Sequence, residues 1–208
     1  MPLSLNTPSI RERTWDADGI PVLHAAVTLP SPEGRDKASR RIRTFYRLQS
    51  DAFLRYCENF LLPRAKAARD AAADAPLPCW EAELTYRVTY DQDGLWSLYT
   101  QSREVTDETL LIRRGDTWDL DQAAPVPLAR FLRRRLRWRR LLFCTACAQL
   151  EQRQRAGAIH LRQDWRQRLK KSINPRDYYL TDEGIVFFLP MHSVSGSIPT
   201  FTIPWRSP

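Results

Sequence analysis

Two cysteines three positions apart, Cys144 and Cys147 in the run CTAC, have the spacing of a dithiol redox centre or of half a zinc site. A redox pair needs a helix N-terminus at its first sulfur to depress the thiol pKa. CTAC instead follows RRLLF inside a predicted helix. A zinc site needs two further thiolates or imidazoles, and Cys57, Cys79, His24, His160 and His192 show no paired spacing. The pair is therefore read as small buried residues, and neither a metal nor a cofactor is expected. Glu81 and Glu83 share one face of a predicted strand, where a solvated edge accounts for them. Arg114-Gly115-Asp116 spells an adhesion tripeptide but reads as a turn. The chain contains no nucleophile elbow, phosphate-binding glycine loop, HExxH or calcium-loop spacing, and its three histidines are scattered. The expectation is a protein that is not an enzyme; a hydrolase without a recognisable motif ranks third among the readings.

Charge offers a stronger signal. Arg130, Arg133, Arg134, Arg135, Arg137, Arg139 and Arg140 fall within eleven residues, interleaved with Phe131 and Trp138. Residues 127–208 carry 16 basic and 5 acidic side chains, whereas residues 1–126 carry 16 and 19, so the net charge of +8 is a regional property. Guanidinium groups in such a cluster suit carboxylate or phosphate. A solvated face is the bland alternative, favoured by the skew of 28 Arg to 4 Lys among the basic residues. One continuous helix would set Arg135 and Arg139 in the apolar stripe of Leu128, Leu132, Leu136 and Leu142. The conflict predicts a helix break near Arg135, with Leu128 to Leu132 forming one short helix and the next beginning around Arg137.

The elements that must position these groups follow from periodicity. With 208 residues and 43% hydrophobic content, a single domain over residues 1–208 can bury a core. Ile20 to Pro30 reads as a strand. Ser31-Pro32-Glu33 reads as a helix start, opening a long helix over roughly residues 33–73. Its expected apolar stripe is Ile42, Phe45, Gln49, Ala52, Tyr56 and Phe60, with a kink at Pro63. Two strands around a turn at Asp91 to Gly94 and a third strand that bends or turns near Gly115 make an antiparallel meander. Helices then occupy residues 127–172, broken at Gly157 and stopped by Asn174-Pro175. The expected fold is α+β: an antiparallel sheet packed by a long N-terminal helix, with a basic helical segment inserted before the final strands. No run approaches the roughly 18 apolar residues that span a bilayer, and the start shows no signal peptide. Four irregularly spaced cysteines suit a reducing compartment, so the expected location is cytoplasmic.

The C-terminal stretch YYLTDEGIVFFLP resolves into strand, turn and strand, with five consecutive apolar residues after Gly184, as in a strand covered on both faces. Together with the closing GSIPTFTIPW and the upstream TWDLDQAAPVPLARFL, it resembles the C-terminal domain family typified by the RsiV anti-sigma factors, over roughly residues 79–205. The matching positions are Tyr178, Tyr179, Thr181, Asp182, Gly184, Phe187, Phe188, Pro190, Phe201 and Pro204, read as mainly structural. Trp205 stands where that family usually has tyrosine. In that family the module lies outside the membrane, beside an anti-sigma region or a cell-wall deacetylase, and the RsiV example binds lysozyme. The resemblance implies a non-catalytic binding module that engages a protein partner. An electrostatic binder of nucleic acid or another anionic surface, acting through residues 130–171, is the alternative.

Overall fold

The structure, a computed structural model, describes residues 8–72, 78–132 and 138–205. Among the described residues there are four α-helices and nine strands, and the strands form two sheets, six in the order β1-β2-β3-β4-β5-β6 and three in the order β7-β8-β9. The chain divides into two compact units, one of residues 1–86 and 100–111, the other of residues 87–99 and 112–208.

The first unit begins with a hairpin that the sequence reading passes over. β1 (Ser9–Ala17) pairs antiparallel with β2 (Ile20–Leu29) around Asp18 and Gly19, both at positive φ, which is the Asp-Gly signature of a tight hairpin. β2 then pairs in parallel with the start of β3 (Trp80–Gln92), from Leu23 opposite Trp80 to Val27 opposite Leu84, so the sheet is not wholly antiparallel. Parallel neighbours require a crossover, and the helices supply it.

The long helix is neither N-terminal nor begun at Glu33. α1 (Lys37–Tyr56) starts after Asp36, whose carboxylate accepts the Ser39 N–H at 2.9 Å and the Ser39 hydroxyl. Those hydrogen bonds hold the Asp36 carboxyl below its ordinary pKa. Pro32 stays outside the helix because Arg43 reaches back to the carbonyls of Pro32 and Gly34. The buried residues are Ala38, Ser39, Ile42, Tyr46, Ser50 and Leu54, displaced toward the C-terminus from the expected stripe after Ile42, and Phe60 is 63% exposed. A π-helical turn at Cys57–Leu61 separates α1 from α2 (Leu62–Ala71). Pro63 has no N–H and crowds the preceding carbonyl, and the wider turn, with Leu62 N–H reaching Cys57 O, accommodates it without a break. Tyr56 donates its hydroxyl to the buried Glu104 carboxylate at 3.1 Å. Arg103 lies 3.6 and 3.7 Å from Glu81 and Glu83, so one guanidinium bridges both carboxylates on an exposed strand face.

The second unit takes the tip of the hairpin between β3 and β4 (Leu95–Val105), where Asp93 and Gly94 supply the expected positive φ. It also takes the greater part of β5 (Thr109–Asp119), the two-residue β6 (Ala124–Pro125), a 3-10 turn at Leu128–Arg130, α3 (Trp138–Arg155) and α4 (Trp165–Ser172). α4 begins well after Gly157, later than the periodicity predicts. β7 (Tyr178–Thr181), β8 (Gly184–Phe188) and β9 (Thr200–Pro204) close the chain antiparallel, with Tyr178 opposite Phe187 and Phe187 opposite Phe201. Every residue of β8 is buried. Leu142, Ala146 and Leu150 of α3 join Phe187, Phe201 and Leu180 in one core. α3 also satisfies β9: the Gln149 amide donates to Thr202 O at 2.8 Å, and Arg153 donates to Thr200 O at 2.8 Å.

β5 runs straight through Gly115, contrary to the turn read from Arg-Gly-Asp. A Cβ at Gly115 would sit 1.9 Å from the Tyr178 carbonyl oxygen, so this glycine marks the close passage of another backbone.

Candidate partner-binding cleft

A cleft of about 940 Å³ opens within the second unit, walled by residues 112–117 of β5, the segment 125–132, Trp138 and the turn 174–178. Val126 N–H donates to Thr117 O at 2.7 Å and carries the chain past β6 into the 3-10 turn. The Tyr178 hydroxyl donates to Val126 O, and burial pushes its pKa to about 12, so it remains a donor at neutral pH. This hydrogen bond fastens β7 to the segment that forms the cleft floor.

Below the floor, Asp119 organises the turn between β5 and β6. Its carboxylate accepts Gln122 N–H at 2.9 Å and the Arg130 guanidinium, and these contacts hold its pKa below the usual carboxylate range. On the opposite wall, Asn174 accepts the Arg176 N–H at 3.2 Å through its side chain and the Asp177 N–H at 3.1 Å through its carbonyl. Burial pushes the Asp177 carboxyl upward, opposed by a hydrogen bond from Asn174 and by the charge of Arg114.

The floor is apolar: Val126, Leu128 and Leu132 are buried, and Ile112, Pro125 and Trp138 complete it. The rim carries Arg113, Arg114 and Arg176 against Asp116 and Asp177. Arg113 lies 4.2 Å over the Tyr99 ring, and Arg114 is 62% exposed and 3.9 Å from Asp116. Among the described lining residues there is no His, Cys, Ser or Lys. Thr117, the one aliphatic hydroxyl, is buried against Ser97 at 2.8 Å. Among the described residues, such a surface combines apolar and charged side chains and presents no activated nucleophile.

Of the seven arginines singled out by sequence, the structure describes three, Arg130, Arg139 and Arg140. Arg133, Arg134, Arg135 and Arg137, and with them the expected helix break, lie outside the described residues. Arg130 is tied to Asp119, Arg139 lies 5.2 Å over the Trp138 ring, and Arg140 is exposed on α3. Further along the basic segment, Arg166 pairs with Glu151 at 2.7 Å and Arg168 with Asp164 at 2.6 Å. Of the C-terminal motif, Tyr178, Tyr179, Gly184, Phe187, Phe188 and Phe201 are buried. A Cβ on Gly184 would meet Ile203 O at 2.1 Å. Thr181 donates to Gly184 O at 3.2 Å, Asp182 accepts from Gln92 at 3.0 Å, and Pro190 and Pro204 are exposed. Trp205 donates its indole N–H to Thr181 O at 2.9 Å.

Contrary to the reading of both cysteines as buried, Cys144 is exposed, whereas Cys147 packs against the core with its thiol pushed up by burial. Helical spacing explains the difference, because Leu142, Ala146 and Leu150 take the inward face. Among the described residues no three His, Cys, Asp or Glu side chains gather as metal ligands, and no helix is long and apolar enough to cross a membrane. A smaller cleft in the first unit is filled with mutual ion pairs, Arg11 to Asp51 and Arg13 to Glu58.

The cleft residues Arg113, Arg114, Arg176 and Asp177 escape a sequence reading because they come together only through the approach of β7 to β5. The Asn174-Pro175 turn is the one local signal near them.

A six-stranded, mostly antiparallel sheet with a β7-β8-β9 sheet and helices defines an α+β fold that solved structures share. No family model and no curated protein matches the chain. A DUF3298 family member from Bacteroides fragilis NCTC 9343 superimposes with a TM-score of 0.60 at 11% identity, covering 96% of this chain and 92% of that one. A DUF3298 family protein from Pseudomonas aeruginosa PAO1 superimposes at 0.55 with 13% identity, covering 95% and 88%. The chain has the DUF3298 fold, and at these identities the likeness is one of fold alone.

Proposed function

We propose that this protein is a non-catalytic binding module of the RsiV C-terminal-domain type and that the second-unit cleft is where its protein partner docks. The carrying observation is the cleft's composition, an apolar floor of Val126, Leu128 and Leu132 under a rim of Arg113, Arg114 and Arg176. Apolar area under a charged rim is the usual anatomy of a protein-recognition site. The four free cysteines suit a reducing compartment, and the cytoplasm is the location we assign. Nucleic-acid binding through residues 130–171 draws less support, because Arg130, Arg166 and Arg168 are engaged by carboxylates of this chain.

A photo-crosslinking amino acid placed at Ala129, an exposed position lining the cleft, tests this reading. It should trap one protein in the source cells, and the same group at the exposed Ala158 should not. Equal trapping at both positions, or trapping only at Ala158, would remove the cleft from the account.

A further inference from the structure

We infer that the outer ridge of the crossover helices in the first unit docks on an anionic phospholipid surface, with Lys and Arg at the headgroups and Leu48 and Phe60 entering the interface. The inference does not depend on the cleft.

Charge separates within the N-terminal half of the chain. Residues 35–70 carry ten Arg and Lys against four Asp and Glu, whereas the other residues of 1–126 carry six against fifteen. Three of the four helical carboxylates are engaged: Asp36 caps Ser39, Asp51 meets Arg11 and Glu58 meets Arg13. Arg11 and Arg13 belong to β1, so those acids are answered from the sheet and leave the positive charge of the helices standing. Lys37, Arg40, Arg55 and Lys66 are exposed, and among the described residues Lys37, Arg40 and Lys66 form no ion pair.

α1, the π-helical turn and α2 run from Lys37 to Ala71 without a break, roughly 50 Å of helix. Ala38, Ile42, Tyr46 and Ser50 are buried, so the crest on the opposite side carries Lys37, Thr44, Leu48 and Arg55. At about 100° per residue, Phe60 would fall about 120° from Leu48, toward the buried side. The π-helical turn takes up one extra residue and turns Phe60 back by about 100°, to about 20° from Leu48. Leu48 is 53% exposed and Phe60 63%, as that rotation requires. The Phe60 ring stacks on Tyr56 with centroids 5.7 Å apart, so a neighbour holds it where it stands.

A long convex ridge with positive charge from end to end and two protruding apolar side chains fits a surface that is broad, negative and apolar beneath its charge. An anionic bilayer has those three properties. Lys and Arg keep their charge at the headgroups while their stems and the two apolar groups pass below. A second copy of the chain would bring the same positive ridge against this one. Nucleic acid would answer the charge but would set phosphates against Leu48 and Phe60.

The test uses the full chain and sedimentation with vesicles of phosphatidylcholine alone or with about 30% phosphatidylglycerol. Binding to the anionic vesicles should be at least about tenfold tighter than to the neutral ones, and should weaken as salt rises from about 50 to about 200 mM. Leu48→Ser with Phe60→Ser and, separately, Lys37→Glu with Arg40→Glu should each weaken it about tenfold or more. Their circular dichroism should stay that of wild type, because all four side chains are exposed. Arg140→Glu with Lys170→Glu makes the same change in charge at exposed positions of α3 and α4, and should leave binding within about twofold of wild type. Equal binding to neutral vesicles, no binding to anionic ones, wild-type binding by either ridge variant, or an equal loss in the α3–α4 variant would each overturn the inference. Complete release from anionic vesicles by a duplex oligonucleotide at equal phosphate concentration would overturn it in favour of nucleic acid.

Discussion

Replacing Gly115 by alanine adds one methyl group at the place where β5 and β7 come closest. The new Cβ would lie 1.9 Å from the Tyr178 carbonyl oxygen and 2.6 Å from its carbon. Ordinary contact begins at about 3.4 Å, so one backbone must retreat by about 1.5 Å in an interior packed like a crystal. No flexible side chain is available to give way, because the obstructing atoms are main chain. The retreat pulls Tyr178 away from Val126 and loosens the packing of Phe187 and Phe201 behind it. Overpacking of this kind costs about 1–3 kcal/mol, and loss of the buried hydroxyl hydrogen bond adds about 1 kcal/mol. A loss of about 2–4 kcal/mol is therefore expected for Gly115→Ala in urea unfolding followed by circular dichroism. Gly196→Ala is the control: nothing lies within 4 Å of its Cβ position, and its stability should stay within about 0.5 kcal/mol of wild type. If Gly115→Ala unfolds with the control, the passage of β7 across β5, and the cleft wall built on it, are wrong.

Phe187 is 2% exposed with its ring 5.1 Å from Phe201, and Phe187→Ala should cost about 3–5 kcal/mol in the same assay; an unchanged midpoint would contradict a core role. Burial raises the Glu104 pKa, so its contribution is fully present below the unfolded carboxyl pKa and is lost as pH rises through the folded value. Glu104→Gln should accordingly be more stable than wild type at pH 8, with the gap closing in acid; a gap that widens in acid would refute the assignment. Cys144 is exposed, whereas Cys57 is fully buried with its thiol pushed up to about 12, so maleimide should label Cys144 first and reach Cys57 only on unfolding. Mass mapping that finds Cys57 modified in the native protein would contradict the buried π-helical turn.

Local patterns carry the closing strands. β8 is a continuous apolar run behind a glycine, and burial on both faces is the environment that such a run requires. The β3–β4 turn is equally legible, because Asp93 and Gly94 must adopt a conformation few other residues tolerate. β1 carried the same signal at Asp18-Gly19, but its alternation is masked by Arg11, Glu12 and Arg13, of which Arg11 is met by Asp51 of α1 and Arg13 by Glu58 of the π-helical turn, partners far along the chain. The α1 stripe is misphased in the reading because Phe45, Tyr56 and Phe60 look more apolar than Tyr46 and Ser50, while the register is fixed by the Asp36 cap and the sheet beneath. Gly115 shows the limit most clearly: beside Asp116 it reads as a turn, and only the carbonyl of Tyr178, 63 positions later, explains it. Arg130 likewise reads as one of a cluster until Asp119 is found beneath it.

Amide hydrogen exchange on the full chain, with and without the partner trapped through Ala129, tests the central claim most directly, since a docked partner slows exchange where it covers the main chain. The account predicts slower exchange among the cleft-lining residues 112–117 and 125–132, with no change at α4 or at Gly196. Protection confined to α3 and α4, with exchange along residues 112–117 unchanged, would contradict it.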